Sequence, residues 1–221
     1  MSFSAMDLLL WVRGPGFAIA LAIFSFGVVV RLIELFSLGR KRDLSTPRTP
    51  RTGSGWRTIL TRSIPVPQLF RSGAVTYVSG YVFHTGFFVA LLFLAPHIEL
   101  FRSVVGFGWP SLPTPFIDAV TVLTLIALLV TLVNRIADPV KRFLSTAGDY
   151  LAWAVTFLPL ATGYLAYHHA LLPYTTMLAL HILSAELLLV VLPFSKLMHF
   201  LTLFVSRWYN GEAFARRGVA S

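Results

Sequence analysis

The stretch YTTMLALHILSAELLLVVLPFSKLMHFLTLFVSRWY, residues 174–209, decides the fold. From Tyr174 to Leu192 it is apolar apart from Thr175, Thr176, His181, Ser184 and Glu186. A helix crossing about 30 Å of hydrocarbon needs roughly 20 such residues, so a membrane span over about 174–195 is expected. Pro193 kinks a membrane helix more often than it ends one. The sequence therefore predicts a helix that runs on through Pro193 into the basic tail 196–221.

The rest of the chain has the same character. Its 221 residues are 56% hydrophobic and only 12% charged, with a mean hydropathy of +0.76, whereas a soluble domain carries about 25% charged residues. The formal charge of +9, from 18 Lys and Arg against 9 Asp and Glu, would suggest nucleic acid in a soluble protein. At this hydropathy no nucleic-acid partner is expected, and the cations are topology signals. There is no cysteine, which excludes disulfides, iron–sulfur ligation, Cys-type zinc sites and haem attachment through C-x-x-C-H. Metal chemistry in this chain must rest on histidines and carboxylates.

Working back from residue 174, four more apolar stretches are expected to span, at about 16–38, 74–95, 116–136 and 150–167. Arg31 and Glu34, three residues apart near the end of the first, read as a snorkelling ion pair. The N-terminal MSFSAMD has no basic region before its apolar residues, so no cleaved signal peptide is expected. The loop 39–73 contains Arg40, Lys41, Arg42, Arg48, Arg51, Arg57, Arg62 and Arg71, opposed only by Asp43. By the positive-inside rule it is cytoplasmic. Arg135, Lys141 and Arg142 after the third span agree, as do Lys196, Arg207, Arg216 and Arg217 in the tail; the opposite side has only Arg13 and Arg102. The expectation is one all-α membrane domain over residues 1–221, a bundle of five transmembrane helices with its N-terminus out and C-terminus in. STPRTPRTGSG reads as a flexible basic loop.

Six histidines in so apolar a chain are its most informative feature, because an ionisable group at membrane depth is costly and by default functional. His84 and His97 lie on or at the end of the second span, His168 and His169 at the outer end of the fourth, His181 and His199 on the fifth. The 18 residues between His181 and His199 are about five helical turns, or about 27 Å of rise, placing both on one face of a continuous helix. The 13 residues between His84 and His97 give about 20 Å and a rotation of about 140°. The second and fifth spans run antiparallel, so His84 and His199 share the cytoplasmic half, and His97 and His181 the outer half. Two such helices can hold two haem groups, each between two imidazoles, stacked across the membrane. A proton relay remains the other reading of His181, and His97, His168 and His169 read equally well as hydrated interfacial residues. Glu186 is either a proton acceptor for a quinol or a hydrogen-bonding group between helices.

With these residues in hand, the chain resembles the gamma, cytochrome b, subunit of respiratory nitrate reductases and the related cytochrome subunits of sulfite-reduction and heterodisulfide-reductase-like complexes. The likeness is best over NRIADPVKRFLSTAGDY and LHILSAELLLVVLPFSKLMH, from about Asn134 to Tyr209, and weaker back to about Ser79. It implies that His181 and His199 bind the outer and inner haem b, and that His84, in GYVFHTG, completes the inner site. Nitrate reductase gamma subunits place the fourth ligand ten residues after the first, where this chain has Leu94. His97, in LAPHIELF, is similar to the pattern of the other relatives and would complete the outer site; the departure leaves a single-haem protein open.

The resemblance further implies a multi-pass protein of the prokaryotic cell (inner) membrane, in contact with lipid. It would be an electron-transfer subunit of an oxidoreductase, linking the quinone pool to a cytoplasmic-side iron–sulfur partner while terminal catalysis belongs to another subunit. Arg102, His168, His169 and Glu186 are then candidates for quinone or haem-propionate contacts. A haem-free proton relay or transport protein, or a simple membrane anchor, is the alternative.

Overall fold

The computed structural model describes residues 4–37, 46–48 and 54–219. The end of the expected first span at Leu38, and Arg40, Lys41, Arg42, Asp43 and Arg51 of the basic loop, lie outside these residues. All regular structure among the described residues is helical.

Helix α1 (Ala5–Trp11) is started by a capping box in which the Ser4 hydroxyl accepts from the Asp7 amide and the Asp7 carboxylate accepts from the Ser4 amide. Pro15 has no N–H to give and crowds the turn before it. The chain answers with a π-helical turn, Val12–Gly16, then continues as α2 (Phe17–Ser37). Ala5–Ser37 is thus one 33-residue rod. It is followed by α3 (Ser54–Thr61), α4 (Pro67–Phe93), α5 (Ala95–Val105), α6 (Thr114–Ala137), α7 (Pro139–Leu144), α8 (Ala147–Tyr167), α9 (Tyr174–Val191) and α10 (His199–Arg216).

Four of these stretches are long and apolar enough to cross a membrane: Ala5–Ser37, Pro67–Phe93, Thr114–Ala137 and Tyr174–Phe194. Their large apolar side chains point outward, as with Phe26 at 68% and Val133 at 63% exposure, while Thr124, Ser184 and Glu186 are buried. That inversion of the usual soluble pattern fits a lipid surround. The 21-residue α8 is not among the four; Thr, Gly, Pro and aromatic residues dilute its apolar run.

Helix α4 packs on α6, α6 on α8, α8 on α9, and α9 on the N-terminal rod. Ala90, Ile117, Leu128 and Leu160 form the core of this arc, with Trp153 donating its indole N–H to the Leu128 carbonyl at 2.8 Å. Small residues let the helices approach: a Cβ at Gly86 would run into Thr124 Oγ1, and one at Gly27 would lie 2.6 Å from Pro193.

Three expected features differ. The loop expected at 39–73 contains α3, which packs against α10, and the start of α4; α4 bends at Gly73 (φ −134°, ψ 25°), where the second span was expected to begin. The second span ends at Phe93, not residue 95, because Leu94 is extended (φ −77°, ψ 129°), and His97 stands on a separate helix. Pro193 ends α9 instead of merely kinking it. Two 3₁₀ turns, Leu192–Phe194 and Lys196–Met198, precede α10, so the single-helix arithmetic relating His181 to His199 does not hold. Arg31 caps this break by donating to the Pro193 carbonyl at 3.0 Å while pairing with Glu34 at 2.7 Å.

Asp149 ties three segments together at the end of the bundle where α8 starts. It closes a capping box with Thr146, accepts from Lys196 Nζ at 2.7 Å and lies 3.6 Å from Arg135 Nη1. At neutral pH, Asp149→Ala is expected to cost about 1 kcal/mol, the usual worth of a helix cap. The check is the thermal unfolding midpoint in detergent, which should drop; no drop contradicts this role.

Candidate functional site

The break at Leu94 explains how His97 is aimed. Ending α4 at Phe93 strips its last carbonyls of helical partners, and three of them are satisfied from outside the helix. Pro96 has no N–H for the Leu92 carbonyl, which accepts from the Trp109 indole at 2.6 Å instead. The Phe93 carbonyl accepts from the Leu112 amide at 3.1 Å, and the Ala90 carbonyl from His97 Nδ1 at 2.9 Å. The ring of His97 then meets that of His181 on α9, with centroids 6.0 Å apart and planes inclined by 21°.

His181 is held from α8. Its Nδ1 donates to the Pro159 carbonyl at 3.0 Å. Gly163 gives it room, since a Cβ there would stand 2.9 Å from His181 Cε1 and 3.1 Å from Nδ1. A polar seam of Thr162 and Ser184, 3.0 Å apart, lies alongside. The second pair joins α4 to the start of α10: the rings of His84 and His199 are 5.9 Å apart at 84°. His84 Nδ1 donates to the Gly80 carbonyl at 2.7 Å and His199 Nδ1 to the Lys196 carbonyl at 2.9 Å.

The four rings share one chemical arrangement. A carbonyl oxygen only accepts, so in each neutral imidazole Nδ1 carries the proton and Nε2 keeps its lone pair. Imidazoles that ligate metals are fixed in the same way, by a carbonyl on the other nitrogen. Metal–imidazole bonds are about 2 Å, so an ion shared by two opposed rings sets their centroids about 6 Å apart, close to the 5.9 and 6.0 Å seen here. The residues present fit two bis-imidazole haem sites. Among the described residues no group of three or more His, Asp or Glu converges.

The other residues singled out in the sequence do not gather at one place. Arg102 pairs with Glu99 at 2.8 Å. His168 bonds Asp118 at 2.8 Å, a partner the sequence did not reveal, and packs against the Tyr164 ring. His169 has a positive φ of 53° and stacks on Tyr174 at 4.8 Å. Glu186 is buried beside Gly16, and its Oε1 has no hydrogen-bond partner. Pro159, Gly163 and Trp109 were also missed. An isolated Gly or Pro inside a helix marks close approach or a bend, but does not say which ring comes near.

No protein-family model matches the chain, and no solved structure does. A relative from Nitratidesulfovibrio vulgaris (strain Hildenborough), whose name is simply "Protein", is 39% identical over 145 residues. The match covers 65% of this chain and 64% of the relative, so the chain spans less than two thirds of that relative's length.

Proposed function

We propose that the protein is a haem b-binding membrane subunit of a respiratory oxidoreductase, passing electrons between the quinone pool and an iron–sulfur partner subunit on the cytoplasmic side. The observation that carries this reading is the pair of imidazole couples, 5.9 and 6.0 Å apart, in which all four Nδ1 atoms donate to backbone carbonyls. A proton relay requires neither two opposed pairs nor a common tautomer, and a plain anchor requires no histidines.

In this reading α8 is the fifth span: its 21 residues cover about 31 Å at about 1.5 Å each, and it packs between two apolar helices. The cation distribution sets the N-terminus outside, so His84 and His199 form the inner site and His97 and His181 the outer one. Haem, when bound, supplies reversible one-electron transfer. The chain orients the ligands through Gly80, Ala90, Pro159 and Lys196, and the apolar arc excludes water. Arg102, His168 and His169 serve the outer side as propionate or quinone contacts. The basic residues near α3, α7 and α10 face an acidic partner or anionic lipid of the prokaryotic inner membrane. A pyridine-haemochrome assay on purified, haem-supplied protein tests the proposal. About two b haems per chain are expected; none returns the protein to the relay or anchor readings.

A further inference from the structure

Between α4 and α6 the bundle is grooved on its outside. Ile126, Leu129, Val130, Val133 and Asn134 recur at spacings of three and four, so they share one face of α6, and with Val75 of α4 they line a groove of about 410 Å³. Its apolar walls face outward, with Val75 at 53% and Ile126 at 52% exposure. The groove follows the helix axis for about 12 Å from Ile126 to Asn134, which suits a chain lying along the helices.

One end of the groove is polar. Asn134 Nδ2 donates to Thr76 Oγ1 at 3.0 Å, and Lys141 Nζ, from α7, donates to Thr76 Oγ1 at 3.1 Å and to Asn134 Oδ1 at 3.2 Å. Asp138 Oδ2 lies 3.4 Å from the same ammonium, while Asp138 Oδ1 accepts from the amides of Val140 and Lys141. The three protons of Lys141 are thus engaged. The oxygens of Thr76 and Asn134 are taken as well, but the Thr76 hydroxyl keeps its own proton and Asn134 Nδ2 a second N–H. Thr76 is exposed and Asn134 half-buried, so an outside group can reach them. What the cluster still lacks is an acceptor.

The surrounding charge selects the kind of acceptor. Arg71 lies five residues before Thr76, further toward the same end of the bundle, and Arg142 follows Lys141. Both arginines are exposed, and neither has an ion-pair partner among the described residues. With Lys141 they outweigh Asp138, so an anion is favoured. We infer that the α4–α6 groove and its polar end bind one anionic phospholipid, with an acyl chain along Val75, Ile126 and Val130 and a phosphate accepting from Thr76 and Asn134 beside Arg71 and Arg142. Basic pockets between membrane helices recognise anionic headgroups in this way. A zwitterionic lipid carries the same phosphate but sets its own cation beside the arginines. A second protein helix would cover the apolar walls, yet its carbonyls are engaged within it and leave the donors open. The site deepens the lipid contact proposed for the basic residues near α7, and on the proposed orientation it lies in the cytoplasmic leaflet. It requires α4 and α6 to span the membrane and does not require haem.

The test is native mass spectrometry of the detergent-purified full-length protein, titrated separately with dioleoylphosphatidylglycerol and dioleoylphosphatidylcholine. Phosphatidylglycerol is expected to fill one site at least tenfold more tightly. Arg71→Gln combined with Arg142→Gln leaves the Thr76, Asn134 and Lys141 bonds in place and should bring the two lipids within twofold of each other. Val130→Trp should fill the groove and weaken phosphatidylglycerol at least tenfold. Glycerophosphoglycerol, the same headgroup without acyl chains, should fail to displace the lipid. Affinities within twofold for the two lipids in the wild type, binding unchanged in both variants, displacement by the free headgroup, or a dimer that Val130→Trp dissolves would each overturn the site. Haem counted in the same samples keeps the two proposals apart. Selective lipid binding by protein that takes up no haem leaves this site standing and removes the cytochrome reading, whereas failure of the site in haem-loaded protein removes only the site.

Discussion

On the proposed cytochrome reading, His199→Ala is expected to remove one of two b haems and to stop electron delivery to the proposed cytoplasmic-side partner. His199 opens α10 directly after a 3₁₀ turn, with its Nδ1 fixed on the Lys196 carbonyl and its ring 5.9 Å from that of His84. Loss of a group that merely orients a metal ligand costs about 10–100-fold in metal affinity; loss of the ligand itself should exceed the upper figure. Haem content should fall from about two to about one per chain, with the outer site's spectrum retained. The fold should survive, because His199 is exposed and outside both core clusters. An unchanged haem spectrum would end the assignment of His199, and with it the inner site.

The second large effect needs no ligand to be touched. Gly163→Val should abolish the outer haem and leave the inner one in place. A Cβ at 163 would lie 2.9 Å from His181 Cε1 and 3.1 Å from Nδ1, and the two extra methyl groups of valine enlarge the clash. The ring must leave the Pro159 carbonyl, losing both its tautomer and its direction toward His97. A 10–100-fold loss of haem affinity is expected at that level alone, with Gly163→Ala milder. Circular dichroism checks that the helices persist, and redox titration resolves which haem is gone. If both haems remain in Gly163→Val, His181 is not a ligand.

Much of the architecture was legible in the sequence because its signals are simple. Apolar runs of span length gave the long helices near their observed positions. The pairing of His84 with His199, and of His97 with His181, followed from antiparallel order, although the spacing along unbroken helices did not hold. What was not legible is where helices stop. Pro96 and Pro193 were visible, but a proline in a membrane helix kinks or ends it depending on who takes the released carbonyls. Here Trp109, Leu112 and His97 take those of α4, and Arg31 takes that of Pro193. Those partners come from elsewhere in the fold. For the same reason His97, which a straight helix would turn about 140° from His84, is brought round to His181 by the break at Leu94. The isolation of Glu186 could not be read either, since a lone carboxylate in an apolar run predicts a partner, and only the packing against Gly16 leaves it without one.

The order in which neighbours pack bears on how the molecule is made. Along the arc from α4 through α6 and α8 to α9, each helix packs on one that follows closely in the chain, so these contacts can form as synthesis proceeds. The imidazole couples, like the packing of α9 on the N-terminal rod and of α3 on α10, join segments made early to segments made later. On the proposed reading, neither couple can close before α9 and the start of α10 have been made. A flat, bulky group would have that interval to slide in sideways between the helices. Packing of this later segment and capture of the proposed cofactor would then be coupled.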